Sequence, residues 1–394
     1  MARVLVRVGG HILLLRWMTA RVGSHPLALC AGVLGVTFAI SAFVPNLVTA
    51  IAVLPIVKQL VNGLSLPSRD RERFGSVLGI AVIYGANIGG MATLVGSAAN
   101  GIILVALAQA DVPERHLIGF WTWLRFGAPL AFVYALGALG ALWLTHRDVF
   151  RLELGPVTLP EPPQTADLRR GFGAVAVGIA GCIAGGAFDD LIPTGPRIGR
   201  YLDAKTLLEA VLCLAYCLVL MRLRLSGRDE PLLRVQDTWG GIPPRGVAWA
   251  GAAVLLAWGL DRAGVISATL RLVERLVPTT DSPDVPLYVL VPVAIIASEL
   301  FSNTATALTL WALTFALASA GGWSPFAPIF GIGLAANACF MSPIATPATG
   351  MVFGGLRELS LKSLVLAGLL VDVIGGVLIV LACRFWIPWV LGLP

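Results

Sequence analysis

The chain has 394 residues, of which 57% are hydrophobic and 13% charged, and it carries a formal net charge of +6. Soluble domains carry about 25% charged residues, so this composition, with a mean hydropathy of +0.85, excludes an ordinary soluble domain and indicates a polytopic integral membrane protein. The apolar runs reach helix-spanning length and lack the short alternation of a β-barrel, and the basic excess matches the positive-inside bias of a membrane protein better than a nucleic-acid surface.

Taken in order, residues 1–24 read as a basic, amphipathic interfacial segment, with Arg3, Arg7, Arg16 and Arg21 arguing against a cleavable signal peptide. Residues 25–61 are apolar but interrupted at Pro45-Asn46, and basic residues flank both ends. Each half is too short to cross the roughly 30 Å hydrocarbon core, so a re-entrant hairpin with Asn46 near its tip is predicted, entered from the cytoplasm. Residues 75–110 are broken at Gly89-Gly90 and at Gly96-Ser97-Ala98-Ala99-Asn100, and 117–145 cross back after a short external turn at Asp111–Glu114. A Pro-rich basic loop over 151–170 divides a first repeat, 1–150, from a second, 171–394.

In the second repeat, spans are predicted over 171–188 and 205–224, joined by an external Asp189-Asp190 turn, with a further span over 246–261 and an interfacial helix and loop over 262–285. Residues 286–320 hold the polar motif Ser298-Glu299-Leu300-Phe301-Ser302-Asn303-Thr304. Residues 327–355 are broken at Pro343 and at Thr346-Pro347, and 363–383 span again. Arg and Lys cluster at the segment ends placed inside, so the second hairpin enters from the opposite side.

The two halves overlay. Asn46 and Thr49 match Asn303 and Thr306 at one spacing, and Val95–Gly101 matches Ile344–Gly350. Equivalent order with opposite entry sides predicts an inverted repeat of two hairpins and two broken transmembrane helices, the architecture of secondary transporters with a binding site at the midplane. An unpaired polar group in hydrocarbon costs roughly several kcal/mol, so the polar runs mark backbone that bends and binds. Helix N-termini at the breaks suit an anion, free carbonyls suit a cation such as Na+, and Asn, Ser and Thr supply donors and acceptors without a fixed charge. Neither tip carries Arg or Lys.

Other chemistries are poorly represented. The six cysteines and four histidines are scattered, so neither a disulfide framework nor a metal motif is expected. GxSxG and HExxH motifs are absent from the sequence, so no enzyme and no organic cofactor are expected. Glu299 is expected to brace the hairpin backbone, with a proton relay as the alternative, and Asp372 to be an interhelical hydrogen-bond partner or a functional carboxyl.

Four stretches in order, SAFVPNLVTAIAVLPI (41–56), YGANIGGMATLVGSAANGIIL (84–104), SELFSNTATA (298–307) and ANACFMSPIATPATGMVFGG (336–355), resemble the divalent anion:sodium symporter family of the ion transporter superfamily. The resemblance covers nearly the whole chain. It implies a small anion such as a dicarboxylate or sulfate, Na+ as the co-transported ion, elevator-type movement against a homodimeric scaffold, and a multi-pass location in a bacterial inner membrane. It implies substrate contacts at Asn46, Ser97, Asn100, Ser302, Asn303, Thr304, Thr346 and Pro347, and Na+ contacts at Asn46, Gly90, Gly96, Ser302, Asn303 and Ala345. An Na+/H+ or arsenite-type antiporter, or proton coupling, stays open. Three features depart from the family pattern: the first tip reads Pro45-Asn46-Leu47, lacking two hydroxyls, Thr349 replaces an Asn, and the first half lacks counterparts of residues 171–261.

Overall fold

The computed structural model describes residues 4, 7–155, 161, 165–187, 197–198, 202–225, 230–239, 243–264, 268, 282–301 and 303–393. Helices dominate. The first group is α1 (Gly10–Val22), α2 (Pro26–Ser41), α3 (Asn46–Asn62), α4 (Ser68–Gly89), α5 (Ala98–Gln109) and α6 (Phe120–Thr145). After it come α7 (Thr165–Ala187), α8 (Ala204–Arg222), the short α9 (Val235–Trp239) and α10 (Pro244–Arg262). The last group is α11 (Asp284–Ser298), α12 (Asn303–Gly321), α13 (Phe326–Ala335), α14 (Pro347–Gly355), α15 (Leu361–Leu381) and α16 (Ile387–Leu391). β-Pairing among the described residues is confined to a two-residue antiparallel ladder, β1 (Arg197–Ile198) with β2 (Leu202–Asp203), and an isolated antiparallel bridge between Arg224 and Pro231.

Polar caps and prolines set the ends. Pro26 and Pro347 occupy the first turns of α2 and α14, where a missing N–H has no cost. Ser97, Thr346 and Ser360 cap α5, α14 and α15 with side-chain oxygens. The interruptions expected in the apolar runs fall within or at the edges of the gaps 42–45, 90–97, 299–301 and 336–346. Several boundaries differ from the expected ones. α4 begins at Ser68 and α7 at Thr165, because charged turns carrying Asp70 and Asp167 near the helix start extend each helix beyond its apolar part. α15 does not stop near residue 383 but runs through a π-helical turn, Ala382–Trp386, into α16. The Asp189-Asp190 turn and most of the predicted 262–285 interfacial segment lie outside the described residues.

The core is built around α4, which is buried on every side from Phe74 to Gly89. It packs against α2, α3, α6 and α14. A Cβ at Gly85 would lie 2.6 Å from the Leu34 carbonyl, and one at Gly89 would lie 2.5 Å from that of Phe38. Glycine at these two positions, one turn apart, lets α2 and α4 cross in backbone contact. A second, smaller apolar cluster joins Val4 and Val8 to Leu168, Leu220 and Leu232. There Arg7 bridges Glu230 at 3.0 Å and Asp237 at 2.6 Å.

By length and composition, three described helical stretches can cross a bilayer: Phe120–Thr145, Asn303–Gly321 and Leu361–Leu391. Leu207, Val211, Leu214 and Leu218 on α8 are exposed, as a bilayer solvent permits.

Trp123 of α6 is fully buried, and its indole N–H donates to the Met91 carbonyl at 3.1 Å, just past the end of α4. That carbonyl has left the helical ladder and needs a donor. Trp123→Phe keeps most of the ring and removes the donor. It is expected to destabilise the fold by about 1–3 kcal/mol, read as a lower unfolding temperature of the detergent-purified protein. An unchanged transition would show that the bond is dispensable.

Candidate functional site

The first tip is the turn between α2 and α3. The Ser41 hydroxyl donates to the Ala86 carbonyl at 2.6 Å, with Asn46 Oδ1 3.1 Å away. Thr49 Oγ1 donates to the Val44 carbonyl at 3.1 Å, closing the turn. Asn46 Nδ2 reaches Asn87 Oδ1 of α4 at 3.4 Å. Gly90 follows α4 and faces this tip, and a Cβ there would overlap Asn46 Oδ1.

The first break, 90–97, is held by two side chains. Thr93 donates to the Ala42 carbonyl and accepts from the Gly96 amide at 3.1 Å. Asn100 Nδ2 donates to the carbonyls of Gly90 and Thr93, each at 2.8 Å. Its Oδ1 is buried without a partner among the described residues. The carbonyls of Gly90, Ala42 and Ser41 lie 2.7, 2.9 and 3.0 Å from where a Gly96 Cβ would be. Absence of a side chain at Gly96 thus leaves a cradle lined by oxygen. Ser97, expected at the ligand, accepts from the Ala99 amide at 3.4 Å and caps α5.

The second tip lies between α11 and α12. Ser302 lies outside the described residues. Asn303 opens α12, and Cys339 Sγ donates to its Oδ1 at 3.6 Å. Thr304 is exposed on the first turn. The sequence predicts that Glu299 braces the hairpin backbone; among the described residues its partners lie on another segment. Its carboxylate crosses to the second break and accepts from the amides of Met341 at 2.9 Å and Ser342 at 2.6 Å. Those amides have lost their helical partners, and a carboxylate is their strongest available acceptor.

At the second break, Ala345 is buried, and Thr346 accepts from the Thr349 amide at 3.0 Å with the two hydroxyls 2.8 Å apart. Pro347 occupies the first helical position. The break is tied to the other half of the chain through Asn87. Asn87 Nδ2 donates to Thr349 Oγ1 at 3.4 Å, and Thr346 Oγ1 donates to Asn87 Oδ1 at 3.5 Å. Asn46, Asn87, Thr346 and Thr349 form one continuous polar chain between the first tip and the second break.

Asn87 carries no role in the sequence reading, although it stands inside a quoted motif. The available signal was an amide in the last turn of α4, within the helix's apolar stretch after Phe74; it is 1% exposed. Asn87→Leu leaves Asn46 and Thr349 short of partners at a cost of about 1–3 kcal/mol. It is expected to weaken anion binding about tenfold or more, measured as half-saturating concentration at unchanged expression. Wild-type affinity in this variant would remove Asn87 from the site.

Four helices, α3, α5, α12 and α14, begin at a tip or a break, and none has an acidic residue in its first turn. Their positive ends are therefore not neutralised by their own side chains. Among the described residues no cluster of His, Cys, Asp and Glu suits a transition metal. The available ligands are amide N–H groups for an anion and carbonyl, amide and hydroxyl oxygens for a hard cation.

Interrupted helices that gather such groups inside a helical membrane protein are a feature of transporters. A family profile described as citrate transporter matches residues 1–329. The chain is also 24% identical over 378 residues to the "Sodium-dependent high-affinity dicarboxylate transporter 3" of Caenorhabditis elegans, covering 84% of this chain and 63% of the relative. It is 24% identical over 375 residues to the "Sodium-dependent dicarboxylate transporter SdcS" of Staphylococcus saprophyticus, covering 90% and 68%. The Staphylococcus aureus protein of the same name is 23% identical over 384 residues, covering 94% and 71%. The chain belongs to the citrate transporter family, within the divalent anion:sodium symporters. It is an integral multi-pass membrane protein of a transporter family, not an enzyme. It spans roughly two thirds of the length of these relatives.

Proposed function

We propose that the protein moves a small di- or tricarboxylate anion across the membrane together with Na+. The observation that carries this reading is the polar chain through Asn87, which joins the first tip to the second break so that one ligand can be sensed by both halves. The names of the relatives, sodium-dependent dicarboxylate transporters, agree with it.

The anion sits against the helix N-termini, with Asn46, Asn303, Ser302, Thr304, Ser97, Thr346 and Pro347 around it. One Na+ takes the oxygen cradle at Gly96, where the carbonyls of Ser41, Ala42 and Gly90 converge. The unpartnered Asn100 Oδ1 belongs with that cradle as an oxygen donor, rather than with the anion. The first tip lacks the two hydroxyls of the family motif, but Ser41 brings one beside Asn46 from the preceding helix. A second Na+ belongs to Ser302, Asn303 and Ala345.

In this reading the two hairpins are re-entrant and the halves form an inverted repeat. In support, Asn46 and Thr49 match Asn303 and Thr306 at one displacement along the chain, and Val95–Gly101 matches Ile344–Gly350 at another. Transport proceeds by elevator-type movement of the tips and breaks against a scaffold that includes α7, α8 and α10, in a homodimer. The test is uptake of labelled succinate, citrate and sulfate into proteoliposomes under an inward Na+ gradient. Uptake of at least one anion that collapses when K+ replaces Na+ supports the reading, and uptake indifferent to every cation gradient contradicts it.

A further inference from the structure

We propose that Glu299 and Asp372 form a binding site for one monovalent cation, H+ or Na+, behind the second tip and distinct from the cradle at Gly96. Glu299 is 5% exposed and Asp372, in the middle of α15, is 3% exposed. The two carboxyls are neighbours. Both Glu299 oxygens are occupied by the amides of Met341 and Ser342. Among the described residues, neither Asp372 oxygen has a partner at good hydrogen-bond geometry, although the Phe340 amide and the Glu299 carboxyl lie beside it. Nor does any Arg, Lys or His among them pair with either acid. Two adjacent acids without a counter-charge are costly in a buried, membrane-embedded site. A cation at the open Asp372 oxygens removes that imbalance.

Two further groups point the same way. The hydroxyls of Tyr84 on α4 and Ser298 on α11 are fully buried and, among the described residues, also lack a partner. Tyr84 lies within the field of both carboxyls, and its ring stands edge-on to Phe340, 5.1 Å between centroids, beside the second break. Carboxylate and hydroxyl oxygens are what a hard monovalent cation needs, and two touching carboxyls can equally hold a proton between them. The remaining titratable groups packed around the pair are Tyr134 of α6, whose hydroxyl donates to the Val371 carbonyl at 3.2 Å, and Cys339 of the break.

The use of the site for coupling rests on the transporter reading; its existence does not. Purified wild-type protein in proteoliposomes is treated with a hydrophobic carbodiimide, which attacks protonated carboxyls, at a series of pH values with and without Na+. Modified peptides are then mapped by mass spectrometry. Modification of Glu299 or Asp372 that falls at least tenfold on adding Na+ at fixed pH assigns sodium, and a tenfold fall with rising pH alone assigns the proton. No modification at either residue, or modification indifferent to both, overturns the site. In parallel, the number of monovalent cations moved per labelled succinate is compared in wild type, Asp372→Asn and Asp372→Glu. Asp372→Asn is expected to lose one and Asp372→Glu to keep the wild-type number; an unchanged number in Asp372→Asn overturns the role. Wild-type vesicles that accumulate no anion count against the transporter reading and leave the carbodiimide result to decide the site.

Discussion

Asn303→Ala is expected to reduce Na+-driven anion uptake to the level of protein-free liposomes while leaving expression and membrane insertion intact. Asn303 opens α12 at the second tip. Like Glu299, its side chain reaches across from that tip to the second break, here through Cys339. Alanine removes both the donor and the acceptor that an anion or Na+ would meet there. Loss of even two or three charge-assisted hydrogen bonds, each worth about 1.5–3 kcal/mol, lowers affinity by several powers of ten. α12 itself should survive, because alanine is the best helix former. The measurement is uptake per milligram of reconstituted protein, with surface-biotin or fluorescence quantitation of the inserted fraction. Uptake retained within twofold of wild type would place the ligand away from the second tip.

Gly96→Ala is expected to abolish Na+ stimulation of uptake. The new methyl would meet three backbone carbonyls, of Gly90, Ala42 and Ser41, at 2.7 to 3.0 Å. All three belong to main chain that cannot swing aside as the end of a flexible side chain can. The substitution therefore fills the cradle and pushes the first tip away from the first break. Overpacking of this kind costs about 1–3 kcal/mol in stability, and the larger effect falls on the ion, whose ligands must stay close to their positions. Gly101→Ala is the matched control. It lies in α5, where an added Cβ meets nothing within 4 Å, and Gly→Ala in a helix gains about 0.5–1 kcal/mol. Uptake and its Na+ dependence should be wild type in Gly101→Ala and lost in Gly96→Ala. Equal behaviour of the two variants would remove the cradle from the ion pathway.

The helical class and the positions of the interruptions were legible because hydrocarbon penalises unpaired polar groups so heavily. Pro45-Asn46, Gly89-Gly90, Asn303-Thr304 and Thr346-Pro347 stand out in apolar surroundings, and each falls at the edge of a helix or in a gap between helices. The family was legible from four motifs in order. Long-range pairing was not. Nothing local joins Asn87 to Thr349 or Glu299 to Met341 and Ser342, because those partners meet only when α4, the second tip and the second break pack together. Two hydroxyls expected to face ligand, Ser97 and Thr346, also cap α5 and α14. That part of their role follows from the preference of Ser and Thr for the residue before a helix, a local signal that was available. Helix starts within charged turns, as at Ser68 and Thr165, escape a reading based on apolar runs, since helix continues past the membrane boundary wherever its first turn is well charged.

The central claim is that both halves of the chain build one site in which anion and Na+ support each other. It is tested most directly by equilibrium binding to the purified protein, without transport. Labelled succinate and citrate are titrated in Na+ and in choline, and labelled Na+ is titrated with and without the tighter-binding anion. Thermodynamic linkage requires the two effects to be equal when measured with the same anion. The expected result is that Na+ tightens anion binding tenfold or more, that the anion tightens Na+ binding by the same factor, and that Asn87→Leu reduces both factors together. Anion binding of the same strength in Na+ and in choline would contradict the account.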